Sequence, residues 1–158
     1  MDIAIGHAGS AWVDLPTPSG SGTPGSLWLL DSGASLHMTS DPTHLTHYSS
    51  APSISRVRIT YGTPLLVSSI GHLTTSVFFV PDVSYVPRLS MNLTSVSQLT
   101  DFDCQVVFDH SSCHVQDRNG AVIGVGRRRS GVYILESLCL PSPPVYSSHY
   151  HVVTLDFY

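Results

Sequence analysis

With 158 residues the chain has room for one domain with tails, and no apolar run approaches the roughly 18 residues that a membrane span needs. Its side chains are 42% hydrophobic and only 11% charged, and the formal net charge of −4 argues against a bulk nucleic-acid binder, which would be basic. Three cysteines (Cys104, Cys113 and Cys139) and an opening Met1-Asp2 without a basic segment and apolar run point to reduced thiols in an intracellular protein, cytoplasmic or nuclear.

In chain order, residues 1–26 read as a disordered leader and linker. Pro16 to Ser26 is built from Pro, Thr, Ser and Gly and cannot bury a core. The text becomes strand-like at Leu27-Trp28-Leu29-Leu30. Arg56 to Tyr61 alternates polar and apolar, the period of a half-buried strand. Gly62-Thr63-Pro64 punctuates it as a turn, and Leu65-Leu66-Val67 completes a hairpin. Thr75 to Val80 is β-branched and aromatic, and Pro81-Asp82 is expected to close it. Ser90 to Leu99 is the helix candidate, with Ser90 as N-cap and Leu93, Val96 and Leu99 on one face. Further strands are expected at 105–108, 114–116, 121–123 and 132–135. Asn119-Gly120 reads as a two-residue hairpin turn, in which both central positions need positive φ. From Pro141 the text turns Pro/Ser-rich and then aromatic, and 141–158 reads as an unstructured tail. Many short strands with frequent Gly and Pro and one short helix predict an all-β fold, a small barrel or sandwich.

The sharpest chemical feature is Leu29-Leu30-Asp31-Ser32-Gly33-Ala34-Ser35. A carboxylate follows an apolar strand directly, on a turn whose small residues leave room for a second copy of the same loop. Peptide hydrolysis by carboxylates needs two of them sharing one proton, one acting as base toward water and the other as acid toward the carbonyl. No second Asp-Ser/Thr-Gly occurs in the 158 residues. An isologous dimer would supply it by bringing Asp31 to its symmetry mate.

Trp28 to Thr39 (Trp-Leu-Leu-Asp-Ser-Gly-Ala-Ser-Leu-His-Met-Thr) resembles the protease segment of copia-type LTR retrotransposon Pol polyproteins. The resemblance continues through Val80 to Leu93, through Ser95-Val96-Ser97-Gln98-Leu99 as the following helix, and from Asp103 to Leu135 as the start of the region before integrase. It implies a small retropepsin-like β-barrel over residues 27–100, a β-hairpin extension over 101–140, cleavage of Gag-Pol-type precursors by a homodimer, and no metal or other cofactor. By that resemblance Asp31 is the catalytic acid/base, Ser32 hydrogen-bonds across the dimer axis, and Gly33 shapes the loop. The 56–67 hairpin is then a flap touching polypeptide substrate through Tyr61, Gly62 and Thr63. The flap departs from the family's Ala-Asp-Gly by reading Thr60-Tyr61-Gly62. A family Leu-Leu-Ser reads Leu93-Thr94-Ser95 here. The family's zinc modules are not found, which reads as an element fragment truncated before integrase.

Blander readings stand beside these. Asp31 alone could be an ordinary turn aspartate capping backbone N–H groups. Cys104, His110, Cys113 and His114 match no compact zinc spacing. Arg127-Arg128-Arg129 reads as an exposed strand end. The competing function is a catalytically inactive barrel, degenerate or captured, that serves as an interaction module.

Overall fold

The computed structural model describes residues 27–51, 55–58 and 64–141. The first apolar run forms β1 (Trp28–Asp31), and the segment 32–37 leads into the short β2 (Met38–Thr39). Next come β3 (Leu45–Ser50), β4 (Arg56–Val57) and β5 (Leu65–Leu66). β6 (Ser69–Thr74), β7 (Phe78–Tyr85) and β8 (Asn92–Ser95) precede the single described helix, α1 (Val96–Asp101). β9 (Gln105–Phe108), β10 (Ser112–Gln116), β11 (Val122–Arg129) and β12 (Val132–Cys139) complete the order. The fold is all-β with one short helix, as the strand-and-turn pattern predicted.

The pairing order is β3-β6-β7-β2-β8-β1-β12-β11-β10-β9, with an additional contact between β7 and β12. β7 thus pairs with β2, β2 with β8, β8 with β1, β1 with β12, and β12 with β7 again. These pairings close a ring, which makes the sheet a barrel. β6 and β3 continue it from β7, and β11, β10 and β9 continue it from β12. The segment 101–140, expected as an appended hairpin, therefore supplies a stave of the ring.

β1 lies between two buried clusters. Trp28 and Leu30 point into one, with Phe78, Val80, Leu99, Val115, Leu135 and Leu138. Leu29 points into the other, with Ala34, Met38, Val57, Leu65, Val67 and Leu93. Alternate side chains of a strand leave on opposite faces, so a strand with both faces covered reads as an unbroken apolar run.

Several expectations are corrected by tertiary context. Residues 92–95 are not the first turn of a helix but β8, which pairs with β1 from Trp28↔Asn92 to Asp31↔Ser95. The N-cap is Ser95 rather than Ser90, its side chain accepting from the Gln98 N–H. Thr75 to Val77 is a turn rather than a strand, its Thr75 hydroxyl accepting from the N–H groups of Val77 and Phe78. Pro81-Asp82 does not end β7. The two residues sit where the β6–β7 register shifts, with Asp82 at φ 55°, so a bulge absorbs the missing proline N–H.

The β10–β11 hairpin exists, but Asn119-Gly120 is not a two-residue turn. Gly120 alone takes positive φ (83°), and Asp117 organises the loop by accepting from the N–H groups of Asn119 and Ala121. The two-residue turn with both φ positive is Ser130-Gly131, between β11 and β12.

In the expected 56–67 hairpin, β4 and β5 pair through Arg56↔Leu66 and Val57↔Leu65, while residues 59–63 lie outside the described residues. The arginine run ends β11 on the surface. Arg127 pairs with Glu136 at 3.0 Å, and Arg128 lies over the Tyr133 ring at 6.0 Å. Among the described residues no helix is long and apolar enough to cross a membrane.

Candidate active site

Asp31 is the last residue of β1, where the strand leaves the two clusters. It is half-buried, and Ser32 and Gly33 beside it are exposed. The Gly33 N–H donates to Asp31 Oδ1 at 2.7 Å, so the carboxylate shapes its own turn. Both edges of β1 are filled, by β8 on one side and β12 on the other. The chain leaves the barrel as the loop 32–37 and re-enters as β2 on the far side of β8. The loop therefore straddles the end of β8, at Ser95.

That strand end and the first turn of α1 hold the loop. The Ser95 hydroxyl donates to the Ala34 carbonyl at 2.7 Å and lies 2.9 Å from the Ser97 hydroxyl. The Ser95 N–H donates to His37 Nδ1 at 3.0 Å. The His37 N–H donates to Gln98 Oε1 at 2.7 Å, and Gln98 Nε2 donates to the Asp82 carbonyl at 3.1 Å. The His37 carbonyl accepts from the Ser84 N–H on β7 at 2.8 Å. Just beyond the loop, the buried Thr39 hydroxyl donates to Asn92 Oδ1 at 2.7 Å, tying β2 to β8. Apart from Asp31's own turn and the Ser95–Ser97 contact, each hydrogen bond named here joins residues remote in sequence. The loop's shape is therefore imposed from outside.

His37 is fully enclosed, at 0% exposure. Its Nδ1 accepts, so the proton is on Nε2, which finds no hydrogen-bond partner among the described residues. Burial pushes its pKa down to about 3. A buried neutral histidine has a definite effect on stability. Below the ordinary value of 6.5 the unfolded chain takes up a proton that the folded chain refuses, so stability falls as pH drops from 6.5 toward 3. At 1.36 kcal/mol per unit, the loss is about 2 kcal/mol at pH 5. Urea midpoints between pH 7 and pH 5 should show this fall, and His37→Asn should flatten it.

The structure brings Asp31, Ser32 and Gly33 together on one exposed turn. Tyr61, Gly62 and Thr63 lie outside the described residues. On either side of them, Val57, Leu65 and Val67 pack in the cluster that also holds Ala34 of the loop. A cleft of about 270 Å³ opens near Trp28, at the other end of β1, and does not include Asp31. Sequence reasoning missed the loop's supports. Ser95, Ser97 and Gln98 read as part of the helix segment and His37 as part of the Trp28 to Thr39 segment, with no role in holding the loop. A cluster of hydroxyl and amide side chains at a helix start, with one histidine beside the acid, was the available signal.

Comparison with known proteins agrees with this architecture. Residues 28–104 match the β-barrel domain of Pol polyproteins. Over 112 residues the chain is 31% identical to a retrovirus-related Pol polyprotein from transposon RE1 of Arabidopsis thaliana, covering 67% of this chain. The chain spans 8% of that relative's length. No solved structure matches the chain. Over residues 28–104, then, this chain carries the β-barrel domain of Pol polyproteins.

Proposed function

We propose that the chain is a copia-type aspartic endopeptidase unit that works as a homodimer on a Gag-Pol-type polypeptide. The observation that carries this reading is the exposed Asp31-Ser32-Gly33 turn, held by a remote network at the end of a barrel strand. Both edges of β1 are occupied, so a second copy would meet Asp31 through the loop rather than by extending the strand. In such a pair one Asp31 would act as base toward water while its mate, protonated, polarises the scissile carbonyl. The 56–67 hairpin would close over the substrate.

One observation favours a second reading, a non-catalytic barrel module. The Asp31 carboxylate already accepts from the Gly33 N–H, which is the ordinary work of a turn aspartate.

The test uses the full chain. Light scattering over a concentration series from pH 5 to pH 7 should show dimer formation, with peptide-library cleavage that follows the dimer fraction. Asp31→Asn should lower cleavage by about 10³-fold or more while the melting transition is retained. A chain that stays monomeric throughout, or cleavage that survives Asp31→Asn, would leave the module reading.

A further inference from the structure

We propose that His37 and Gln98 are the positioning residues of the Asp31 loop, and that they hold it only while the His37 imidazole is neutral. The catalytic consequence rests on the endopeptidase reading, but the clamp itself does not.

Geometry carries the argument. Ser95 is the register partner of Asp31 across the β1–β8 pairing, so whatever is fixed to Ser95 is fixed relative to Asp31. The middle of the loop is fixed to it through Ala34, and the far end through His37 Nδ1. Gln98 then keys the same histidine's backbone to Asp82, a residue at φ 55° in the β7 bulge. One imidazole and one carboxamide thus join the loop to β7, β8 and α1.

The His37–Ser95 bond admits only one protonation state. An imidazolium carries N–H groups on both nitrogens, and a proton on Nδ1 would face the Ser95 N–H donor head-on. The ring has no route to solvent without movement of the loop. Titratable side chains on the elements around the loop are Asp31 on β1, Arg56 on β4, Asp82 and Tyr85 on β7, and Asp101 on α1; β2, β5 and β8 carry none. Asp82 enters the network through its carbonyl, not its carboxylate. Burial is the cause that disfavours the His37 cation. Uptake of one proton therefore requires the loop to open.

The test is amide hydrogen exchange on the full chain from pH 7 to pH 4, corrected for intrinsic rates. Protection of Gly33, Ser95 and Ser84 should fall about tenfold per unit below pH 6.5. Protection of Leu138 in the core should start higher and fall with the same slope, because global unfolding takes up the same proton. His37→Asn places a non-titrating acceptor near the Nδ1 position and should make loop protection independent of pH. Gln98→Leu should lower it at every pH. Equal slopes in wild type and His37→Asn would overturn the proposal, as would loop protection equal to that of Leu138 at every pH, which would mean that the loop opens only when the whole barrel unfolds. Exchange needs no activity, so it separates failure of the clamp from failure of the endopeptidase reading. Where cleavage is measured, His37→Asn should move the acid limb of the rate profile to lower pH, and an unmoved limb counts against the proposal.

Discussion

A chain that stops after Cys104 is expected to lose cooperative folding, although the family match ends there. The cut removes β12, which pairs with β1 through Trp28↔Leu135, Leu29↔Ile134 and Leu30↔Tyr133, and with β7 through Leu138↔Phe78 and Cys139↔Phe79. The ring opens at both joints, and one whole edge of β1 loses its ladder partners. The core cluster loses Cys113, Val115, Leu135, Leu138 and Leu140 at the same stroke. Burying one Leu or Val side chain contributes about 1.5–3 kcal/mol, so the three leucines and Val115 alone represent roughly 6–12 kcal/mol. A domain's whole net stability is about 5–15 kcal/mol. Thermal and urea unfolding followed by circular dichroism should therefore show a single transition for the full chain and none for residues 1–104. A sharp transition in the shortened chain would show that the first eight strands and α1 form a closed unit on their own.

Gly126→Ala is the single substitution expected to cost the most stability. Gly126 lies in β11 at the register shift opposite β12. A Cβ there would stand 2.5 Å from the Ile134 carbonyl oxygen and 2.8 Å from Cys113 Sγ. The nearer obstacle is backbone in a paired strand, which cannot rotate away as a side chain tip can. The expected loss is about 3 kcal/mol, at the upper end for overpacking. Gly131→Ala provides the contrast. Nothing lies within 4 Å of its added Cβ, and the cost is only that of a left-handed backbone (φ 84°), about 1–2 kcal/mol. Urea denaturation of the two variants should rank them in that order. The reverse ranking would mean that β11 and β12 can part at the bulge without penalty.

Both arguments turn on contacts far apart in sequence, and that is where sequence reading and structure divide. Leu27 to Leu30, 105–108 and 132–135 were legible as strands because period and β-branching are local properties. So was the acid at the end of β1, since Asp-Ser-Gly after an apolar run needs no tertiary knowledge. Ser90 reads as the cap because apolar spacing alone cannot tell Leu93 on a helix from Leu93 on β8. Only the pairing of β8 beside β1 decides that. Pro81 looked like a strand end because its missing N–H is a local fact, whereas the bulge that tolerates it belongs to the β6–β7 pair. Asn119-Gly120 was the stronger local turn signal, yet the Asp117 carboxylate captured that loop and Ser130-Gly131 took the two-residue turn.

The sequence by itself determined an all-β chain with one short helix, a single candidate acid at Asp31, and a resemblance to retrotransposon Pol polyproteins. Tertiary structure alone decided that β12 closes the barrel beside β1, and that His37, Ser95 and Gln98 hold the loop carrying Asp31. The reason is physical. Backbone preference and side-chain period act over a few neighbouring residues and leave their mark in the text. The partner of a given N–H or apolar face, by contrast, is selected among all strands competing to bury it.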